Sequence, residues 1–162
     1  MNVFFLDIRP SVAAEYHCDK HVIKMILESA QLLCTAHRLL DQVDPQMDTV
    51  LYRATHANHP CAIWTRQSTQ SYYWLYELML ELNREFVRRY KKQEDHMTIR
   101  KLADVLATPP KNLADVGWIV PPKCMPEQFR KHTVVDAYRA YYRECKAEIA
   151  HWTDTPIPYW FQ

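Results

Sequence analysis

A single glycine, Gly117, stands in 162 residues, and that scarcity constrains the fold more than any other feature. A P-loop, a dinucleotide-binding GxGxxG turn and a glycine-built nucleophile elbow all need glycine at fixed places, so those enzyme classes are excluded. Tight hairpins want residues at φ > 0, which disfavours an antiparallel sheet. Ten prolines punctuate the chain instead. This pattern predicts an all-α fold, one helical domain over residues 1–162 with a long central first helix and a proline-rich loop before the C-terminal helix. With 48% hydrophobic residues, the chain is long enough for one real core and too short for two comfortable ones.

The segment Tyr16 to Leu40 carries a narrow polar stripe: His17, Lys20, His21, Lys24, Glu28, Gln31 and Thr35. At about 100° per residue these positions fall within about a third of a helical turn, and apolar residues such as Val22, Met25, Ile26, Leu32 and Leu33 fill most of the rest. A surface helix shows the reverse proportion. The stripe is therefore expected to be a wet seam on a central helix, sharing one line of access to solvent or ligand. The plain alternative is a thin solvated face.

Elsewhere, Asn2 to Ile8 reads as a short strand or extended arm, and the first helix as running from Pro10 or Ser11 to about Leu40, with a kink allowed. Asp41 to Asp48 reads as a polar loop. Helical spacing of Trp64, Tyr72, Leu75, Leu78, Met79, Leu82, Phe86 and Tyr90 predicts a second long helix from Ala62 to about Lys92. A shorter helix over Met97 to Ala107 ends at Pro109-Pro110, and a last one spans Val134 to Trp152. The loop from Pro109 to Pro126 lacks periodicity and reads as a wrapped surface segment.

Net charge is +1, so no global pull toward nucleic acid exists, although Arg84, Arg88, Arg89, Lys91 and Lys92 concentrate positive charge locally. Five cysteines without CxxC spacing fit reduced, mostly buried thiols and a cytoplasmic protein. No apolar run reaches membrane length, and Met1 to Leu6 is too brief for a signal peptide.

A second constellation is Thr55-His56-Ala57-Asn58-His59-Pro60, at an expected loop-to-helix junction where free backbone N–H groups favour an anion. His56, Asn58 and His59 are candidate phosphate ligands, with Arg53 and Arg66 supplying guanidinium forks. The structural alternative is that Thr55 and Asn58 cap the helix while the histidines satisfy the loop. His17 and His21 at i and i+4 have zinc-pair spacing, but no glutamate stands between them and Lys20 would repel a cation, so neither metal nor cofactor is expected. His37 reads as a packing histidine, and His96, His132 and His151 as surface residues. Chemistry then falls to the stripe: an imidazole as acid or base, and a lysine crowded by another lysine as an amine nucleophile, with Glu28 holding either. Tyr72, Tyr73, Trp74 and Tyr76 offer faces for stacking a base, or belong to the core.

The strings EYHCDKHVIKMILESAQLL, YRATHANHPCAIW and IPYWF resemble a family of small phage-encoded proteins of poorly defined function, over nearly the whole chain. More distantly the chain is similar to the pyrimidine dimer DNA glycosylase family, often called endonuclease V. That resemblance implies a compact all-helical fold with a central first helix, and an N-terminal amine that attacks the sugar of a damaged nucleotide with help from a glutamate and basic residues. The family-like histidine is His17, in AAEYH. Seven residues later, where the family has its glutamate, stands Lys24, so Glu28 would serve from one turn on. Asn2 is a poor context for removing the initiator methionine, which leaves Met1's amine, Lys20 or Lys24 as nucleophile.

These readings give a phage DNA-processing enzyme, glycosylase- or lyase-like, in the host cytoplasm. Its expected catalytic residues are His17, His21, Lys24 and Glu28. Lys20, Gln31, Arg53, His56, Asn58, His59 and Arg66 are expected to bind substrate phosphate. The alternative partner is a small phosphate-containing nucleotide, bound or hydrolysed. A third reading is an interaction module whose seam takes a partner helix. The discriminating geometry is whether the stripe and the Thr55 to Pro60 segment converge on one cleft.

Overall fold

The computed structural model describes residues 1–130 and 132–162. Among them the regular structure is helical throughout, with no strand. No helix there is long and apolar enough to cross a membrane.

The expected first helix is two helices, α1 (Pro10–Tyr16) and α2 (Asp19–Leu40), because His17 and Cys18 are both extended. Pro10 at the first helical position suits an N-terminus and opens α1. The break stands because partners elsewhere take the backbone groups it frees. Arg89, fully buried, donates to the Glu15 and His17 carbonyl oxygens at 2.9 and 2.8 Å. Cys18 N–H donates to the Tyr142 hydroxyl, and Asp19 N–H to the His151 carbonyl, each at 2.8 Å. These bonds join residues more than 70 positions apart in sequence, so no local propensity announces the break.

The polar loop expected at Asp41 to Asp48 instead contains the short α3 (Pro45–Val50), whose N-terminus Asp44 caps by accepting from Met47 N–H. The second long helix also divides, into α4 (Pro60–Thr65) and α5 (Thr69–Arg89), where Ser68 turns the chain and caps α5. The helix α6 (Met97–Leu106) follows expectation within a residue. The last helix, α7 (Val134–Cys145), stops well before Trp152, and a single 3-10 turn at Ala147–Ile149 follows it.

Helix α2 packs along α5, α1 crosses the same helix, and α4 and α6 flank α2. Val22, Ile26, Leu32, Leu33, Leu75, Leu78, Met79 and Leu82 are closed to solvent at this junction, each such burial stabilising by about 1.5–3 kcal/mol. The N-terminal arm forms no strand: Val3, Phe4, Phe5 and Leu6 are inserted into the core. Two tryptophans fasten the irregular segments, Trp74 Nε1–H to the Ile8 carbonyl at 2.7 Å and Trp64 Nε1–H to the Ile119 carbonyl at 2.8 Å. The lone Gly117 sits in the proline-rich loop at φ +82°, a conformation that only glycine adopts freely. Most of the aromatic run on α5 is therefore structural. Tyr72 and Trp74 are buried, Tyr72 and Tyr76 donate to the carbonyls of Leu106 and Ala103, and Tyr73 alone of the four is exposed.

Candidate functional site

The polar stripe divides along its length. His17 is fully buried, its Nδ1 2.6 Å from the Ala13 carbonyl and its Nε2 enclosed without a partner. His21 is 5% exposed, with Nδ1 2.8 Å from the Tyr142 hydroxyl and its ring stacked on Phe4 at 4.5 Å. Burial lowers the His17 pKa to about 4. Burial, reinforced by His17, Lys146 and Lys24, lowers that of His21 to about 3. Both rings are neutral core groups near pH 7. The seven stripe residues thus do not share one line of access: the helix break at His17 and the inserted arm cover the upper part. His17 and His21 each engage Nδ1, and their rings stand 6.4 Å apart, edge to face.

Lower on α2 the stripe opens. Glu28 is half-buried and holds two amines, the α-amino group of Met1 at 3.8 Å and Lys24 Nζ at 3.4 Å. Local chemistry fixes the first of these. The Asn2 side-chain oxygen accepts from Val3 N–H at 2.8 Å and Phe4 N–H at 3.2 Å, an Asx turn, while its Nδ2 donates to the Cys124 carbonyl at 2.8 Å. Phe4 lies at φ +44°, a strained conformation for a bulky residue, held by the stack on His21 and the surrounding core. The segment Met1 to Leu6 is thereby held against α2.

The Thr55 to Pro60 segment lies on the same side. Thr35, the last stripe residue, exchanges bonds with Thr55: Thr55 N–H donates to Thr35 Oγ1 at 3.1 Å, and Thr35 Oγ1 reaches the Gln31 and Thr55 carbonyls at 2.7 and 3.3 Å. His56 takes a left-handed backbone (φ +49°), its Nδ1 2.6 Å from the Thr55 hydroxyl. His59 is the N-cap of α4 and accepts from Cys61 N–H at 3.1 Å. Capping falls to His59, in place of Thr55 and Asn58. The His59 pKa is lowered by burial first and then by the Met1 amine and His56, while Glu28 opposes the shift. Met1, Glu28, His56 and His59 are thus electrostatic neighbours.

The remaining predicted residues differ in exposure. Lys20, Arg53 and Asn58 are exposed, and Gln31 is half-buried. Arg66 is half-buried at the end of α4, with Nη1 enclosed and unpartnered. The basic residues of α5 are largely engaged within the protein: Arg89 with Glu85 and Asp19, Arg88 with Glu85 and the Asp154 carbonyl, Arg84 with Glu81. His37 is a packing residue, its Nε2 2.9 Å from the Tyr72 hydroxyl. His96 caps α6, whereas His132 and His151 are exposed.

Two residues at the site carry no signal in the stripe or in the histidine pattern. Cys61, buried, donates to Cys124 at a sulfur separation of 3.5 Å. That bond lowers the Cys124 pKa and raises that of Cys61. The string His59-Pro60-Cys61 is a local cue, but Cys124 comes from the unpatterned loop and only the fold brings it in. A cleft of about 450 Å³ bordered by His37, Asp41, Lys111 and Asn112 lies elsewhere and includes none of the expected site residues. No protein-family model, no curated protein and no solved structure matches the chain.

Proposed function

We propose that the chain is a phage DNA-processing enzyme of the glycosylase or lyase kind, using an amine to attack the sugar of a modified or damaged nucleotide. The observation that supports it best is the Glu28 carboxylate holding the Met1 α-amine and Lys24 Nζ together. The Asn2 turn fixes the Met1 α-amine in place, whereas the Lys24 side chain is largely exposed, so Met1 is the preferred nucleophile. In this reading the amine nitrogen forms a bond to C1′ and the glycosidic C1′–N bond breaks, the base leaving with the bonding electron pair and taking up one of the two amine protons, while the other passes through the carboxylate. Glu28 takes the proton lost by the amine and returns it to the sugar ring oxygen as the ring opens to an imine. Water then hydrolyses the imine and frees the amine. Lys24, His56 and His59 are the phosphate-facing groups beside this centre, Arg53 is a further candidate, and His17 and His21 support the arm from within.

One observation favours the alternative, a binder or hydrolase of a small phosphate-containing nucleotide. The α5 arginines are spent on internal partners, and net charge is only +1, so a broad basic face for duplex backbone is weak. A panel of damaged duplexes and free nucleotides tests the two readings. Base release from a duplex supports the first. A thermal shift with a nucleotide, and none with DNA, replaces it with the second.

A further inference from the structure

We propose that His59, Cys61 and Cys124 form a zinc-binding site. Among the described residues this is the one group of three potential ligands whose donor atoms all lie within 4.8 Å of one another, and its two sulfurs are 3.5 Å apart. A tetrahedral zinc ion with Zn–S of about 2.3 Å and Zn–N of about 2.0 Å separates its sulfurs by about 3.8 Å and each sulfur from nitrogen by about 3.5 Å, so the donor separations reach that geometry with changes of no more than about 1.3 Å. Two thiols and an imidazole form a donor set of the soft and borderline kind that zinc takes, in contrast to the carboxylates of calcium or magnesium sites.

The supports of the three ligands are independent. His59 and Cys61 flank Pro60 at the start of α4, while Cys124 is held from the opposite side by Asn2 Nδ2 on its carbonyl and by the Tyr138 hydroxyl accepting its N–H. His59 and Cys124 are only half-buried, which leaves an entry path, and Cys61 is the closed wall behind them. Binding displaces one proton from each thiol, and the two thiolates then neutralise the ion. The nearby Met1 ammonium is therefore not left facing a net cation, unlike Lys20 beside a purely histidine pair. If the ligating atom is His59 Nδ1, it gives up the bond from Cys61 N–H, a single neutral hydrogen bond and a small loss beside a thiolate-bound metal. Three protein ligands leave the fourth position to water, the pattern of an open site. The site shares His59 with the groups beside the amine centre but needs no amine chemistry: it would bind zinc whether or not Met1 acts as a nucleophile.

The test is a cobalt(II) titration of the reduced full-length protein under anaerobic conditions. The expected result is a thiolate-to-cobalt charge-transfer band that saturates at one equivalent and is bleached by zinc, with zinc raising the melting temperature. Cys124→Ser, at a half-exposed position, is expected to lower the band by about half and abolish the zinc-dependent shift. His59→Asn, which keeps a capping side chain, is expected to weaken cobalt binding at least tenfold. If Cys124→Ser proves unfolded by circular dichroism, His59→Asn decides. No band in the wild-type protein overturns the proposal, as does a band unchanged in both variants, which would put the metal on other thiols.

Discussion

The Met1 α-amine lies 3.8 Å from the Glu28 carboxylate, joining the first residue of the chain to the middle of its central helix. The proximity depends on the Asx turn at Asn2 and on burial of Val3 to Leu6. Asn2→Leu removes the turn, and also the bond to the Cys124 carbonyl, without favouring loss of Met1. This variant is expected to lose amine-dependent activity at least tenfold while far-ultraviolet circular dichroism stays unchanged. Retained activity would mean that the turn does not position the amine.

Glu28→Gln keeps the shape of the side chain and removes its charge. Because the pair with Lys24 is a solvent-facing i,i+4 contact, stability should fall by no more than about 1 kcal/mol. Turnover should fall by about 10²–10⁴-fold if the carboxylate handles the proton. Chemical denaturation and a base-release assay on the same preparation separate the two effects.

Arg89 is the opposite case. It is buried and bound to Asp19, Glu85 and the carbonyls of Glu15 and His17. Arg89→Met leaves two carboxylates and two carbonyls without their donor, and an expected loss of about 3–5 kcal/mol follows. Urea unfolding measures it, and a loss below 1 kcal/mol would show that the helix break does not depend on this side chain.

The pH dependence of stability follows from His17 and His21, whose folded pKa values are about 4 and about 3 against an ordinary value of about 6.5. Below that ordinary value the unfolded chain binds protons that the folded chain refuses. The stability from neutral burial is therefore complete above about pH 6.5 and is lost as pH falls toward the folded values, on the order of 1 kcal/mol per pH unit for each ring. Melting temperatures between pH 7 and pH 4 should decline, and His21→Gln should flatten the decline. A profile identical to wild type would contradict the buried neutral state.

Thr35→Val cuts the bonds between α2 and Thr55 at nearly constant volume. The expected cost is about 1–2 kcal/mol, with faster hydrogen exchange at the Thr55 amide. Unchanged protection there would mean that the segment is held by other contacts.

The helical class was legible in the glycine count and in apolar periodicity, and α6 could be placed within a residue because its pattern is local. The sequence allows a kink in the first helix but does not place it at His17-Cys18, and the break before Ser68 leaves the helical spacing of Trp64 and Tyr72 intact. What interrupts the first is a set of partners from α5, α7 and the C-terminal segment, 70 or more residues away. His17 and His21 illustrate the same limit. Helical spacing put them on the polar face, but an arm of the same chain lies over that face and makes it core. The link between stripe and Thr55 to Pro60 segment was visible as two polar clusters; the Cys61–Cys124 pair was not, because it depends on the path of a loop without periodicity.

The central claim, an amine at Met1 that attacks a sugar beside Glu28, is tested most directly by borohydride trapping on abasic duplex DNA followed by mass mapping of the adduct. The account predicts a stable protein–DNA adduct on the N-terminal peptide, strongly reduced in Glu28→Gln and retained in Lys24→Ala. No adduct, or one placed on Lys24 or another lysine, would contradict it.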